Sequence, residues 1–274
     1  MSNLPSFTHI RLSIENNVAF AELARPEKAN ALNEVLWFEI QTLSKWVSQT
    51  PEIRVLILSG QGNHFCSGID FSLAVNLMQS AQKLPSGHQQ EFLFHQIQKL
   101  QQAFSALEQC TKPVIAAVHG GCIGGGIDLI TACDMRYASS DATFCVKEID
   151  LAIVADVGTL QRLPRLIGEG RSRELAFTGC TIDASEAMEM GLVNRIFENQ
   201  DILMEEATKI ATQIAQKSPL TIRGIKHVMN YSKEHTVADG LQYVAAWNAS
   251  MLLSEDIQTA LGGLMTKTKP TFRD

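Results

Sequence analysis

Two apolar strands that each run into a glycine-rich loop constrain the fold of this chain most strongly. Residues 54–59 (RVLILS) lead into GQGNHFCSGIDF, and residues 113–118 (PVIAAV) lead into HGGCIGGG and then into a helical stretch. The repeated order of strand, glycine turn and helix is typical of a parallel α/β sheet with helical crossovers. Two such loops could each offer one backbone N–H group to a single carbonyl oxygen.

Shorter elements surround these two strands. Residues 9–14 and 18–23 alternate around Glu15-Asn16-Asn17 and predict a β-hairpin. Residues 72–90 mix polar and apolar types around Pro85 and predict a mobile or variable segment. Apolar spacing predicts helices at 34–48 and 91–109, and strands at 135–138, 143–146 and 193–196.

The last quarter of the chain is predicted to be helical. Trp247 and Met251 lie one helical turn apart and could face another helix. The apolar spacing predicts four helices, at 201–217, 219–231, 236–254 and 255–265.

Composition and charge narrow the class of protein. With 274 residues, the chain suits one large domain, or one domain with a helical appendage. A net charge of −6 without a basic run argues against nucleic acid as the main partner. No apolar run approaches the length of a membrane-spanning helix, which predicts no membrane partner. The termini resemble neither a targeting leader nor an S-K-L address, so we expect a cytoplasmic protein.

The six cysteines predict reduced core residues rather than a metal site. None forms a C-x-x-C pair, and no histidine lies near them at zinc-ligand spacing. Cys66 lies in a glycine-rich loop and could be reactive, but burial in the core is the favoured interpretation.

Three carboxylates close to the second glycine loop are candidates for proton-transfer chemistry on an activated carbonyl compound. Asp128 follows the triple glycine, in the first turn of a helix, where the helix dipole alone could favour it. Glu148 could form a surface ion pair with Lys147, and Asp156 could cap a helix. Each structural explanation is reasonable separately, but carboxylates are costly to bury in apolar sequence unless something uses them.

Other common sites are disfavoured by the motifs. Gly121 and Gly126 have the spacing of a phosphate-binding loop, but Ile127 and Asp128 follow where Lys and Ser or Thr are required. No G-x-G-x-x-G or G-x-S-x-G frame is present. His119 has no nucleophile pattern beside it and is expected to be a hydrogen-bonded structural residue.

Five segments resemble the crotonase (enoyl-CoA hydratase/isomerase) superfamily over nearly the whole chain. The order GGGIDL, VKEIDL and ADVGTLQRLP is most similar to the Δ3,5-Δ2,4-dienoyl-CoA isomerase branch. The matching segments are RPEKANALN (25–33), FCSGIDF (65–71), and the stretches at 112–138, 147–168 and 186–197.

The resemblance implies an α/β fold and an acyl-CoA thioester as the substrate. A spiral of ββα turns over residues 1–200 would be closed by a helical region at 201–274, which makes trimer contacts; trimers often pair into hexamers. Two backbone N–H groups, at Ile69 and Gly125, would bind the thioester oxygen. The cations nearest the CoA phosphates would be Arg25 and Lys28, and residues 72–95 would line the acyl-tail pocket. The acyl-CoA loop would comprise Gly68, Ile69, Asp70, Phe71 and Ser72.

The resemblance also implies a mechanism that needs no metal or redox cofactor. Asp156 is the candidate base at C2, Glu148 would deliver a proton at C6, and Asp128 would raise the pKa of Glu148. A typical hydratase of the family carries glutamates at the positions of Asp128 and Glu148 and a glycine at that of Asp156. The carboxylate in place of that glycine favours an isomerase of unsaturated fatty-acid oxidation.

Alternative activities remain open at this point. Within the family these are enoyl-CoA hydration, Δ3-Δ2 isomerisation of an enoyl-CoA, or hydrolysis of the thioester. A function other than catalysis is also open: a crotonase-fold protein of low activity could bind RNA, although the negative net charge of the chain disfavours this function.

Overall fold

The structure, a computed structural model, describes residues 4–274. Within that range the strands are β1 (Ile10–Glu15), β2 (Val18–Leu23), β3 (Val55–Gly60), β4 (Val114–Val118), β5 (Gly121–Ile123), β6 (Met135–Ser139), β7 (Thr143–Cys145), β8 (Thr181–Asp183) and β9 (Arg195–Phe197). The helices are α1 (Glu34–Gln49), α2 (Phe71–Gln82), α3 (Ser86–Glu108), α4 (Gly125–Thr131), α5 (Thr159–Ile167), α6 (Glu169–Thr178), α7 (Ala184–Met190), α8 (Gln200–Ala215), α9 (Pro219–Ser232), α10 (Val237–Met251) and α11 (Glu255–Thr266). The predicted strands and helices are confirmed apart from shifts of a few residues at their ends.

The larger sheet has six strands in the order β1-β2-β3-β4-β6-β9. The hairpin of β1 and β2 is antiparallel and the remaining pairs are parallel, as the strand–glycine–helix pattern predicts. Asn16 and Asn17 turn the hairpin with φ values of 50° and 66°, a conformation that asparagine tolerates better than most residues.

A smaller sheet carries the second glycine loop. It has the order β5-β7-β8, with β5 and β7 parallel. A single bridge pairs Cys66 with Cys122 and so ties the loop after β3 to β5. The two glycine loops therefore lie side by side.

Both faces of the larger sheet are covered. On one face Trp37 of α1 and Phe104 of α3 are buried, with ring centroids 5.0 Å apart. On the other face α8 packs Leu203, Ala207 and Ala211 against the strands, a spacing of four residues that gives one continuous apolar stripe. Helix α8 therefore packs on the sheet. The predicted boundary at residue 200, between the core and the C-terminal helical region, stays a prediction.

Residues 72–90, predicted to be mobile or variable, are helical over most of their length. Helix α2 begins after Asp70, whose side chain accepts the N–H of Ser72 at 3.0 Å. Leu73 and Ala81 are buried on one face of this helix, and the polar residues between them hide that pattern in the sequence. Pro85 precedes α3, a position where its missing N–H costs nothing.

The last three helices form a separate layer with a partly apolar surface. Trp247 of α10 packs over Gly224 of α9, where an added Cβ would lie 2.5 Å from the indole nitrogen, so the prediction that Trp247 faces another helix is confirmed. Leu253, Leu264 and Met265 are largely exposed. Among residues 4–274, no helix is both long and apolar enough to cross a membrane.

Candidate active site

A cavity of about 700 Å³ opens where the two glycine loops meet helices α2 and α3. Its walls are mainly apolar, and a few polar and charged groups line it as well. Such a combination is typical of a site for a small organic ligand. The lining includes Lys28, Gly68, Ile69, Gly125, Asp128, Glu148 and Asp156.

The two loops present unused backbone N–H groups to this cavity. Within residues 4–274, the N–H groups of Ile69 and Gly125 donate to no protein acceptor. Gly68 has φ +91°, and an added Cβ there would lie 2.9 Å from the Ile123 carbonyl oxygen and 3.3 Å from the Gly125 nitrogen. Only glycine lets the loops approach this closely, so the pair of donors depends on it.

Asp128 is buried below these donors, with 1% of its surface exposed. One carboxylate oxygen accepts the N–H of Thr159 at the start of α5, and the other has no partner among the described residues. Burial, with a smaller contribution from the neighbouring charge of Glu148, raises the pKa of Asp128 to about 7, although the hydrogen bond from Thr159 opposes this shift. The carboxylate thus caps α5, rather than only complementing the dipole of its own helix.

Glu148 points at the second glycine loop from a short helical turn at residues 148–151. Its Oε1 lies 3.1 Å from the position of a Cβ on Gly124, next to the Gly125 donor, and its Oε2 is buried without a partner in the described part of the chain. Burial raises the pKa of this carboxyl, and the charge of Asp156 adds to the effect. Lys147 pairs with Asp150 instead, so the surface ion-pair explanation for Glu148 is wrong.

Asp156 lies in the loop before α5 and exposes its side chain to the same cavity. Helix α5 begins at Thr159 with Gly158 as its cap, so the helix-cap explanation for Asp156 is wrong. Partial burial raises the pKa of its carboxyl. Its main-chain oxygen accepts a hydrogen bond from Gln101 of α3 at 2.7 Å.

The predicted acyl-CoA loop lines the cavity from Gly68 to Phe71, but Ser72 does not. The Ser72 hydroxyl donates to Asp70 at 2.7 Å and thereby helps to begin α2. Arg25 is buried, and its guanidinium pairs with Asp70 at 3.0 Å, which leaves it engaged inside the protein instead of facing a phosphate. Lys28 is exposed at the cavity. Of the two predicted phosphate-binding cations, Arg25 and Lys28, it is the one that a ligand could reach.

Two residues considered for reactivity have structural roles. His119 is buried and its Nε2 contacts the Gly62 carbonyl oxygen at 2.9 Å, which confirms the structural prediction. Cys66 is buried, and burial raises the pKa of its thiol to about 12, so it is not a reactive thiolate. Of the six cysteines, only Cys180 is exposed.

Some residues of the site were not singled out by the sequence. Lys147 lines the cavity, and Thr159 holds Asp128 through its N–H. Leu151, Ile153 and Val154 present apolar surface to the cavity from the loop before Asp156. The sequence signal that could have revealed this wall is the short run of apolar residues between the two candidate carboxylates Glu148 and Asp156.

Comparisons with known proteins identify the family of this chain. Residues 13–274 match the enoyl-CoA hydratase/isomerase family. The peroxisomal Δ(3,5)-Δ(2,4)-dienoyl-CoA isomerase of Arabidopsis thaliana is 46% identical over 99% of this chain and 98% of the relative. The mitochondrial enzyme of the same name from Homo sapiens is 42% identical, over 92% of this chain and 77% of the relative.

The names of these relatives contradict the cytoplasmic prediction. One is named peroxisomal and the other mitochondrial. The prediction rested on the appearance of the two termini, and that pattern is therefore a poor guide to the compartment of this chain.

The solved structures agree on the architecture. Enoyl-CoA hydratase from Bacillus anthracis superposes with a TM-score of 0.88 at 31% identity, and the match covers 97% of this chain and 99% of that one. The predicted α/β crotonase fold with C-terminal helices is thereby confirmed. The chain belongs to the enoyl-CoA hydratase/isomerase family.

Proposed function

We propose that this protein isomerises 3,5-dienoyl-CoA to 2,4-dienoyl-CoA by moving a proton from C2 to C6. The observation that carries the proposal is one cavity that contains Glu148, Asp156 and the unused N–H groups of Ile69 and Gly125. The dienoyl-CoA isomerase names of relatives 36–46% identical to this chain support the same activity.

The backbone donors bind the thioester oxygen and thereby fix the position of that end of the substrate. An oxygen bound by the N–H groups of Ile69 and Gly125 becomes an enolate oxygen when a proton leaves C2. Such a donor contributes about 3 kcal/mol in the transition state, because negative charge develops there only as the proton leaves. The first turn of α4, which begins at Gly125, adds the positive end of its dipole.

The geometry favours Glu148, rather than Asp156, as the base at C2. The carboxylate of Glu148 lies beside Gly124, the neighbour of the oxyanion donor, whereas Asp156 lies farther from that position. C2 is bonded to the carbonyl carbon, so the carboxylate nearest the oxyanion site reaches it first. Asp156 is then the acid that protonates C6, and the roles predicted from the sequence are exchanged.

The proton inventory of this cycle balances. Glu148 takes a proton from C2 and the electron pair moves into the chain of double bonds. Asp156 donates a proton at C6, and the double bonds shift from C3 and C5 to C2 and C4. One carboxyl gains the proton that the other loses, so proton exchange restores the enzyme, and we keep the prediction that no cofactor takes part.

Asp128 supports this pair by its protonation state. Burial and the charge of Glu148 raise the pKa of Asp128 to about 7, so Asp128 holds its proton over the pH range below neutrality. A neutral Asp128 adds no negative charge beside Glu148 and lets that base ionise. The pKa of Glu148 is raised as the sequence predicts, but burial and the charge of Asp156 raise it, and Asp128 is not among the causes.

The other activities fit the cavity less well. Asp156 stands where the hydratase pattern has glycine and occupies space that the attacking water of a hydratase would need. The mainly apolar lining of the cavity, to which Leu151, Ile153 and Val154 contribute, disfavours a bound water for hydrolysis. The net charge of −6 disfavours an RNA-binding role.

We further propose that the active form is a trimer, or a hexamer made of two trimers, and that helices α9 to α11 form the subunit contacts. Leu253 and Met265 have 91% and 85% of their surface exposed, and Val237 has 81%. Apolar residues exposed on this scale in one layer mark an interaction surface. Light scattering coupled to size-exclusion chromatography tests this: a mass near 30.1 kDa would contradict it.

A spectrophotometric assay tests the proposed reaction. Addition of the protein to a 3,5-dienoyl-CoA should increase the absorbance of the conjugated 2,4-dienoyl product. A hydratase would instead consume the absorbance of a conjugated enoyl-CoA, and a thioesterase would release free CoA. Either of those results without dienoyl isomerisation would overturn the proposal.

A further inference from the structure

The loop that carries Asp156 is connected to helix α3 by Gln101 directly and by Arg162 of α5 through Glu108. Gln101 Nε2 donates to the main-chain oxygen of Asp156 at 2.7 Å, and Arg162 Nη1 donates to the main-chain oxygen of Val157 at 3.3 Å. Arg162 is itself held by Glu108 at the end of α3, through an Nε–Oε2 contact of 2.9 Å. Two successive carbonyl groups of the loop are thus fixed, one directly by Gln101 of α3 and the other by Arg162 of α5, which Glu108 of α3 holds.

The backbone at Gly158 is shaped around the same arginine. Gly158 has φ +132°, and an added Cβ would lie 1.7 Å from Arg162 Nη1. The guanidinium therefore fills the space that a side chain at residue 158 would need. This glycine sits between Asp156 and Thr159, whose N–H binds Asp128, so the arginine reaches the backbone that places both carboxylates.

Glu108 also connects this clamp to the C-terminal helices. Its other carboxylate oxygen accepts from Lys233 Nζ at 3.0 Å. Its main-chain oxygen accepts from Asn230 of α9 at 3.2 Å. One acidic residue thus binds both the loop clamp and the C-terminal helical layer, in which the proposed oligomer contacts lie.

We propose that Gln101, Arg162 and Glu108 are positioning residues that fix Asp156 at the C6 end of the substrate. The inference rests on the proposed isomerase function. Gln101 touches the main chain of Asp156 and leaves its carboxyl free for the substrate. A displacement of about 1 Å at a reacting group can cost about 100-fold in rate, while the apolar walls that bind the acyl tail stay in place. Loss of the clamp should therefore lower kcat and spare binding.

Gln101→Met and Arg162→Met test the clamp, with Gln102→Met and Arg165→Met as matched controls on the exposed faces of the same helices. Methionine keeps the length of glutamine and removes its donor. We expect kcat to fall about 10-fold for each clamp variant, with KM and the Kd for a saturated acyl-CoA changed less than about twofold. Lys233→Met, which loosens Glu108 from a distance, should lower kcat about threefold. The controls should match wild type.

Three outcomes separate the possibilities. An unchanged kcat in Gln101→Met would overturn the positioning role, even if Arg162→Met failed to fold. A parallel fall of kcat, ligand binding and thermal midpoint in Gln101→Met would also overturn it, because that pattern indicates general loosening of the fold. A wild-type protein without isomerase activity would instead contradict the proposed function itself.

Discussion

The two ends of the cavity are built from different parts of the chain. At the thioester end, main-chain N–H groups of Ile69 and Gly125 are brought together by glycines that permit close approach. At the far end, the side chain of Asp156 lines a space with mainly apolar walls, while Glu148 lines the same space from beside Gly124. The backbone end can serve any reaction of a thioester, whereas the side chains decide which reaction occurs. Substitution of side chains should therefore change the chemistry, and only distortion of the loops should remove the shared binding function.

The largest effect should follow from loss of the acid at the far end. Asp156→Asn keeps the size of the side chain but cannot supply a proton to C6, and positioned acids or bases contribute about 10²–10⁴-fold. We expect isomerisation to fall about 1000-fold, with the affinity for a saturated acyl-CoA nearly unchanged. The absorbance assay and equilibrium binding measure the two quantities. Asp201→Asn, at an exposed carboxylate, is the matched control. Normal turnover by Asp156→Asn would show that the side chains do not choose the reaction.

The next effect should come from distortion of the thioester end. A Cβ on Gly68 would press on the Ile123 carbonyl and the Gly125 nitrogen, and φ +91° is strained for alanine. We expect Gly68→Ala to lower kcat/KM about 100-fold through loss of an oxyanion donor. Gly170→Ala is the control, because its Cβ would meet no atom within 4 Å. If Gly68→Ala were fully active, the assignment of the thioester end would fail.

The sequence predicted the thioester end better than the far end. Glycine loops after two strands are local signals, so the strands and the possibility of one donor in each loop could be predicted from the order of residues, while the family resemblance identified Ile69 and Gly125. The contacts of Asp156 with Gln101 and of Asp128 with Thr159 join residues 55 and 31 positions apart, and no local pattern encodes them. Helix α2 was also missed, because polar residues separate its few buried positions.

The same reason explains the exchange of roles between the two carboxylates. The sequence places Glu148 and Asp156 in order along the chain but does not show which lies nearer the oxyanion donors. Only the approach of Glu148 to Gly124 in space reveals this. Family resemblance supplied the identity of the residues, and the fold supplied their order along the substrate.

A smaller effect concerns pH and the buried Asp128. Its pKa is raised from 3.8 to about 7 in the folded state, so folded protein binds more protons than unfolded protein between those values. The free energy of unfolding should therefore decrease as pH rises from about 4 to about 7. Asp128→Asn should remove this contribution, which is on the order of 4 kcal/mol at pH 8 for so deeply buried a group. Urea unfolding at pH 5 and pH 8 measures the part of this contribution that develops between those two pH values. The same slope in the variant and in wild type would mean that Asp128 is not the group responsible.

The smallest effect should be at the rim of the cavity. Lys28 is exposed, and an exposed ion pair with a phosphate contributes about 1 kcal/mol or less. Lys28→Ala should therefore raise KM by at most about fivefold and leave kcat unchanged, and the difference should shrink at high salt. Lys45→Ala, on the exposed face of α1, is the control. A fall in kcat would place Lys28 in the reaction instead of at the rim.

Deuterium exchange at C2 tests the central claim most directly, namely that Glu148 and Asp156 act at opposite ends of the diene. In D₂O, the Asp156→Asn variant should incorporate deuterium at C2 of a 3,5-dienoyl-CoA without forming the conjugated product, since Glu148 still removes the C2 proton. The Glu148→Gln variant should do neither. Exchange at C2 that persists in Glu148→Gln and disappears in Asp156→Asn would contradict this order.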